Sequence, residues 1–292
     1  MDIATGYDTP IVARVWNRSR DPFQGQLSIF DLRSRRRLSD FPVVYRSGRG
    51  RFALSNDMLR CFIGCYETHG LAAYSAQDGS VLWRRKDLQA LQRVASFPFS
   101  DVVFCRCQDS EAFLLSASTG RTLDIQHGIK HVYSSPFGKT AIVSARTLEL
   151  HEPFGTLREK ILRMTYAELD CAFSETEAVI TEAGGLLRCF DLASGELVWS
   201  HTPQPGTHFV HLSFCYSLNC FVGIRWDLED SRAISRVLHF DRQSGAVLRD
   251  VPLNTDALYR FCLGGKHLFT QYLRVMDVAT GEVIQQFQDH DI

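Results

Sequence analysis

The chain has 292 residues, of which 45% are hydrophobic and 11% aromatic, with a formal net charge of −1 and an isoelectric point near 6.8. This apolar fraction is ample for a folded core, and the balanced charge argues against nonspecific binding to nucleic acid, which needs a strongly positive field. No apolar run follows Met1, so we expect no secretory signal, no membrane partner and a cytoplasmic location.

A short unit recurs along the whole chain: an apolar strand, an Asp or Ser, two or three small polar residues, a Gly, and a second apolar strand. In the seven successive copies, the residue before the turn is Asp31, Ser75, Ser116, His151, Asp191, Asp241 and Asp277. These positions are separated by 44, 41, 35, 40, 50 and 36 residues. A four-stranded propeller blade takes roughly 40–45 residues. The spacing therefore predicts a single all-β domain over residues 1–292, a seven-bladed β-propeller of four-stranded antiparallel blades.

Each unit is predicted to be a hairpin with its own turn chemistry. The Asp or Ser side chain accepts a hydrogen bond from a backbone N–H about two residues on, and the Gly supplies a positive φ. Trp83 and Trp199 stand four residues after their glycines, where a flat side chain can wedge between adjacent blades. The first unit breaks the pattern, because Ser34 and Arg35 stand where a small residue and Gly are expected.

Two further strands are predicted before each hairpin. In chain order the clearest of these are Pro10–Trp16, Val94–Phe97, Val102–Cys105, His131–Ser134, Thr140–Val143, Leu169–Phe173, Ala178–Thr181, Val210–Phe214, Cys220–Ile224, Tyr259–Leu263 and His267–Gln271. Residues 1–7 are left for an innermost strand of the first blade, which predicts closure without an exchanged strand; pairing of Ile3 and Ala4 with the final blade is the alternative.

The repeats resemble the quinoprotein-like (PQQ-type) β-propeller repeats and, more distantly, WD repeats. The family pattern is roughly Asp-x-x-Thr/Ser-Gly-Lys/Glu-x-x-Trp, and the segment FDLASGELVW at Phe190–Trp199 matches it nearly in full. The resemblance implies the fold and not a chemistry. Catalytic quinoproteins have eight blades, a bound quinone and a Ca²⁺ site, whereas this chain has seven repeats and no Asp/Glu/Asn cluster that can be assigned as that metal site, which indicates a non-catalytic member.

Nine cysteines occur singly or nearly so, most of them inside predicted strands. An odd count at strand positions, without a signal, indicates reduced thiols that act as small apolar fillers. Cys105 and Cys107 share one face of a strand and could bind a soft metal, but no second Cys/His pair has a recognisable spacing. Structural filling is the preferred interpretation, and no metal or cofactor is predicted.

Two long loops between second and third strands suggest a binding surface, because the longer loops of a propeller usually carry its function. One runs from Val15 to Phe23 and the other from Arg225 to Arg232, and each combines a Trp with mixed charges, as protein–protein hot spots do. Burial of both Trp side chains at strand ends is the alternative. The predicted partner-binding residues are Trp16, Arg18, Arg20, Phe23, Trp226, Asp227, Glu229 and Asp230.

These features favour a non-enzymatic module that binds another protein, for example an immunity protein that caps a toxin or an adaptor in a larger assembly. The competing interpretation is an enzyme or small-ligand binder with its site in the central channel. Residues on the same face that could serve acid–base or metal chemistry there are Glu67, His69, His127, His131, Tyr166 and His208.

Overall fold

The computed structural model describes residues 2–5, 10–17, 24–45, 52–55, 57–65, 69–97, 100–108, 111–134, 140–144, 147–151, 157–163, 170–182, 185–204, 207–229, 232–253, 259–262, 264–270 and 272–287. Within these residues, strands form seven four-stranded antiparallel sheets, each made of four strands that are consecutive in the chain.

The first three sheets comprise β1–β4 (Asp2–Thr5, Ile11–Asn17, Gln24–Asp31, Arg36–Val44), β5–β8 (Phe52–Leu54, Arg60–Gly64, Leu71–Ser75, Val81–Arg85) and β9–β12 (Leu91–Ser96, Val102–Cys107, Glu111–Ser116, Thr122–His127). The fourth comprises β13–β16 (Ile129–Ser134, Thr140–Ser144, Thr147–His151, Leu157–Arg163). The last three comprise β17–β20 (Cys171–Phe173, Glu177–Thr181, Leu187–Asp191, Leu197–His201), β21–β24 (Thr207–Cys215, Cys220–Glu229, Arg232–Phe240, Val247–Leu253) and β25–β28 (Tyr259–Cys262, His267–Thr270, Arg274–Asp277, Val283–Gln286).

These sheets confirm the predicted all-β fold of four-stranded antiparallel blades. Register is described for every strand pair in six of the sheets, and in the fourth sheet only for β13 with β14. Six blades are thus complete in register, and the predicted number of seven stays a prediction. Because β1 pairs with β2, with Ile3 opposite Arg14 and Ala4 opposite Ala13, the alternative pairing of Ile3 and Ala4 with the last sheet is wrong.

The chain divides into two compact units, Met1–Ala145 with Glu149–Arg158, and Arg146–Leu148 with Glu159–Ile292. The first unit holds the first three sheets with β13 and β14, and the second holds the last three sheets; β15 and β16 are divided between them. We name the two ends of each sheet by their connections. The turn end carries the first-to-second and third-to-fourth turns, and the loop end is the opposite one, where the first strand begins.

The third-to-fourth turns have the predicted chemistry. In the fifth sheet, Asp191 Oδ1 accepts the N–H groups of Ala193 (3.0 Å) and Ser194 (2.7 Å), and its carbonyl accepts the Gly195 N–H at 2.9 Å. Gly195 has φ +72°, which an L side chain rarely adopts. The same pattern recurs at Asp241 and Asp277. In the first sheet Arg35 takes this left-handed conformation (φ +57°) without being Gly.

A β-bulge follows each of these turns in the six sheets of described register. In the fifth sheet Leu197 pairs with Phe190 and Trp199 with Cys189, which leaves Val198 as the extra residue. Equivalent shifts leave an exposed aliphatic residue in the outer strand of every one of these sheets: Leu38, Leu82, Leu123, Val198, Leu248 and Ile284. Because bulges bend and twist an edge strand, they make these outer edges poor templates for adding another strand.

In four of these sheets an apolar side chain after the bulge packs over the turn glycine of the next sheet, as predicted for the two tryptophans. In the first unit Trp83 donates its indole N–H to the Ala117 carbonyl at 2.9 Å and covers Gly120. In the second unit Trp199 donates to the Arg242 carbonyl at 2.9 Å and covers Gly245. Phe41 over Gly79 and Val251 over Gly281 repeat the arrangement. The Trp wedge is therefore confirmed as one case of a general contact between neighbouring sheets.

Candidate functional site

The first predicted binding loop is partly a strand. Trp16 lies within β2, where it pairs with Gln26, and its side chain is half-buried with the Arg14 guanidinium 4.3 Å from the ring centroid. Arg14 itself is buried. The predicted strand Pro10–Trp16 is thus confirmed to within one residue at each end, and the loop predicted from Val15 is wrong at its first residues, because β2 continues through them to Asn17. The other candidates of this segment, Arg18, Arg20 and Phe23, lie outside the described residues.

The second predicted binding loop is also mostly strand. Trp226, Asp227 and Glu229 belong to β22 and pair in register with β23, with Trp226 opposite Ser235 and Glu229 opposite Arg232. The prediction of a loop from Arg225 to Arg232 is therefore wrong, because the pairing of β22 with β23 continues as far as Glu229 opposite Arg232. Asp230 lies outside the described residues.

The consequence is an extended loop end on the sixth sheet. Aligned on the turn aspartates, β23 begins nine residues before Asp241, whereas β19 begins four residues before Asp191 and β27 three residues before Asp277. At about 3.4 Å per residue, the β22–β23 hairpin runs roughly 17–20 Å farther than the hairpins of its two neighbours. Within the second unit, as far as it is described, this is the longest hairpin.

Charged side chains join the base of this hairpin to β24. Arg225 and Arg236 lie directly opposite each other on β22 and β23. Asp250 of β24 accepts a hydrogen bond from Arg236 Nε at 2.6 Å and lies 3.9 Å from Arg225 Nη2. One carboxylate between two guanidinium groups offsets the repulsion that like charges on facing strands would otherwise cause. The lower part of the hairpin is thereby held to the sheet, which gives the extension a rigid foundation.

A polar line crosses the loop end of the second unit. Asp170, next to the start of β17, accepts the Leu212 N–H on Oδ2 at 2.9 Å, and the same oxygen lies 3.6 Å from His211 Nδ1. Arg260 of β25 places Nη1 2.7 Å from His211 Nε2. Since a guanidinium can only donate, Nε2 accepts and Nδ1 carries the proton toward Asp170. Arg260 thus occupies the lone pair that His211 would need as a general base.

The remaining acid–base candidates do not form a cluster in the described part of the chain. His69 lies in the turn before β7 and His127 at the end of β12, whereas His131 lies in β13 and His208 in β21. Glu67 and Tyr166 lie outside the described residues. Across residues 2–287, where described, no group of three His, Cys, Asp or Glu side chains has an arrangement that could hold a metal ion.

All nine cysteines are buried, and none of them forms a disulfide. Burial raises the pKa of Cys61, Cys189 and Cys262 from 9.0 to about 12, so these thiols stay protonated at neutral pH and are poor nucleophiles and ligands. Cys105 and Cys107 belong to one apolar cluster with Leu91 and Leu115. The interpretation of these residues as small core fillers fits their surroundings.

No helix of the described residues is both long and apolar enough to span a bilayer.

No protein-family model matches the chain, and no curated protein matches it. Its structure, in contrast, is similar to several solved β-propellers. It matches U3-55K with 12% identity and a TM-score of 0.66 (92% of this chain, 86% of that one), and the WD40 repeats of RRP9 with 13% identity and a TM-score of 0.65 (92% and 85%). It also matches BamB from Moraxella catarrhalis, a PQQ-like propeller, with 10% identity and a TM-score of 0.58 (99% and 83%).

At these identities the likeness concerns fold alone, and one fold hosts many functions. The likeness nevertheless confirms the resemblance that was drawn from the repeat pattern, since WD40 and PQQ-like propellers are both among the similar structures. The chain has the fold of the WD40-like and PQQ-like β-propellers.

Proposed function

We propose that the chain is a single propeller of seven blades that binds another protein, without chemistry of its own, and that the extended β22–β23 hairpin is its main binding element. The observation that carries this proposal is the length of that hairpin. A propeller blade gains nothing in core packing from strands that outrun both neighbours. A rigid, two-stranded projection with Trp226, Asp227 and Glu229 in its strands is suited to contact a partner.

The proposal also covers the nature of the partner and the cellular compartment. Asp227, Glu229 and Asp230 make the hairpin rich in acidic residues, which suits a partner with a basic surface, such as a small toxin that is capped or a subunit of a larger assembly. Trp16, Arg18, Arg20 and Phe23 are proposed as further partner-binding residues. Nine buried cysteines without a disulfide support a reducing and hence cytoplasmic compartment.

The experiment that tests this proposal shortens the hairpin at a register pair. Because Arg225 and Arg236 are opposite each other, residues 226–235 can be replaced by Asn-Gly, which forms a two-residue turn without changing the register below it. A partner captured by the wild-type chain is identified, purified and titrated against both proteins. We expect binding to weaken at least 100-fold with the shortened hairpin.

The control for this experiment is a Val198→Ser/Leu248→Ser variant, which changes exposed bulge residues of the same unit and should bind as the wild type does. Thermal melts verify that each variant is folded. Equal affinity of the shortened and wild-type proteins for the purified partner would contradict the proposal.

The second candidate, an enzyme or small-ligand binder, is favoured by the Asp170–His211–Arg260 line. His211→Asn would then abolish turnover or ligand binding while leaving partner binding intact. The hydrogen bond from Arg260 to His211 argues for a positioning role of that histidine, and this is why protein binding is the preferred function.

A further inference from the structure

A cavity of about 270 Å³ opens at the turn end between the second and third sheets, entirely within the first unit. Its apolar wall is formed by Phe62, Phe97, Val102 and Ala117, which are all buried or half-buried. Polar groups complete the lining: Ser55, Asp57, Arg60, Ser96, Ser100 and Asp101. An apolar wall with a few converging polar groups is the usual construction of a binding pocket.

The two carboxylates of the cavity are engaged differently. Asp57 forms an ion pair with Arg60 at 3.1 Å and accepts the Leu59 N–H at 3.0 Å, so its charge is compensated locally. Asp101 accepts the hydroxyl groups of Ser116 and Ser118, each at 2.7 Å. Among the described residues, no Lys, Arg or His lies within ion-pair distance of it.

Asp101 is nevertheless ionised at neutral pH. Burial raises its pKa, but the hydrogen bonds from Ser118 and Ser116, with a smaller contribution from the charge of Arg60, outweigh burial and hold the pKa below the ordinary 3.8. Since Arg60 is ion-paired with Asp57, the two carboxylates and one guanidinium of the lining leave the cavity with one net negative charge beside an apolar wall.

We propose that this cavity accepts one arginine or lysine side chain. Such side chains have an apolar stem and a cationic head, and the cavity presents Phe62, Phe97 and Val102 to the stem and Asp101 to the head. Its volume is below that of most drug-sized pockets, which suits a single extended side chain. The source of this side chain is the protein partner, and only that part of the inference rests on the proposed function.

Ser100 gives a direct test, because it lines the cavity and is exposed. Ser100→Lys places a cation on the molecule itself at the mouth, whereas Ser100→Glu places a second anion there. We expect Ser100→Lys to raise the melting temperature and Ser100→Glu to lower it. Ser200→Lys, at an exposed serine of the second unit, should change it little. Equal effects of the lysine and glutamate variants would overturn the proposal.

The free probe is N-acetyl-arginine amide, with the uncharged N-acetyl-citrulline amide as its control. The arginine probe should raise the melting temperature of the wild type progressively with its concentration, with an elevenfold gain in the folding constant at ten times its Kd. The response should disappear in Asp101→Asn and in Ser100→Lys and persist in Ser200→Lys. The Ser100→Lys variant keeps the test informative if Asp101→Asn does not fold. An arginine response unchanged by Ser100→Lys, or equal responses to both probes, would exclude this site.

The two proposals fail separately. If the arginine probe binds at Asp101 but partner affinity is unchanged by Ser100→Lys, the cavity stands as a site for a free guanidinium compound and the partner as its source is wrong. If partner affinity depends on the β22–β23 hairpin but neither the probe nor the Ser100 variants have an effect, the proposed function stands and the cavity carries no site.

Discussion

Gly120 and Gly128 offer a way to measure the contact that joins neighbouring sheets. Both have positive φ, +71° and +78°, so an alanine at either position meets the same backbone strain. Their surroundings differ completely. A Cβ at Gly120 would lie 2.7 Å from Cδ2 and 2.8 Å from Cε3 of Trp83, whereas a Cβ at Gly128 meets nothing within 4 Å.

The expected loss of stability follows from the backbone strain and from the space around the added Cβ. The left-handed conformation costs an alanine about 1–2 kcal/mol, and the less flexible unfolded chain returns about 0.4–1 kcal/mol, so Gly128→Ala should cost about 0.5–1 kcal/mol. Gly120→Ala carries an additional overpacking cost of about 1–3 kcal/mol. Trp83 cannot easily yield, because Ala117 holds its indole N–H and the Phe62 ring lies 5.9 Å away.

Urea unfolding at equilibrium measures this difference, and a double-mutant cycle with Trp83→Leu assigns it. With the ring removed, Gly120→Ala should cost no more than Gly128→Ala, so the coupling free energy between positions 83 and 120 should be about 1–3 kcal/mol. Gly245 with Trp199 repeats the test in the second unit, where the added Cβ would come within 2.5 Å of the ring. Equal losses of unfolding free energy for Gly120→Ala and Gly128→Ala in the wild-type background would refute the packing of Trp83 over Gly120 as the reason that glycine is required there.

Three further outcomes are expected from single groups. Burial, with Arg249 nearby, lowers the pKa of His239 below 6.5; because the unfolded chain then binds the proton first, stability should fall below about pH 6.5, by up to ~1.4 kcal/mol per pH unit from this group, and urea midpoints at pH 7.5 and 5.5 should differ less in His239→Leu. Arg35→Gly should stabilise the first sheet by about 0.5 kcal/mol in thermal melts, since Gly relieves the strain of φ +57°. Glu177→Gln removes the negative charge that lies 2.6 Å from Arg242 Nε and should cost about 1–2 kcal/mol, less in 1 M NaCl, as urea denaturation at low and high salt can show.

Local chemistry made the turn end of each sheet predictable. An Asp or Ser, a Gly and a large apolar residue four positions later carry their own geometry, because the side-chain oxygen, the positive φ and the packed ring each follow from residue type. Strand boundaries are correct for the same reason to within a few residues: Cys220 begins β22 and Tyr259 begins β25, as predicted.

The loop end was harder to predict. The run from Arg225 to Arg232 is rich in charged residues, which favours a loop, yet each of its residues up to Glu229 has a backbone partner in β23. The alternation of Trp226 and Leu228 with charged residues was the signal for a strand in this run. The Asp170–His211–Arg260 line was missed because its members are about 40–50 residues apart and only the repeat geometry brings three successive inner strands together.

The contrast between the two ends explains where variation can be accommodated. At the turn end, the length between Asp241 and Gly245 is fixed by hydrogen bonds and by the ring of Trp199 over the glycine. At the loop end, a hairpin can grow by residue pairs, as from Arg225 opposite Arg236 to Glu229 opposite Arg232, without shifting the register of the strands below. Each added pair brings its own backbone hydrogen bonds and costs little closure entropy. A binding hairpin on this fold can therefore change in length and composition while the turns and sheet interlocks that hold the blades stay as they are.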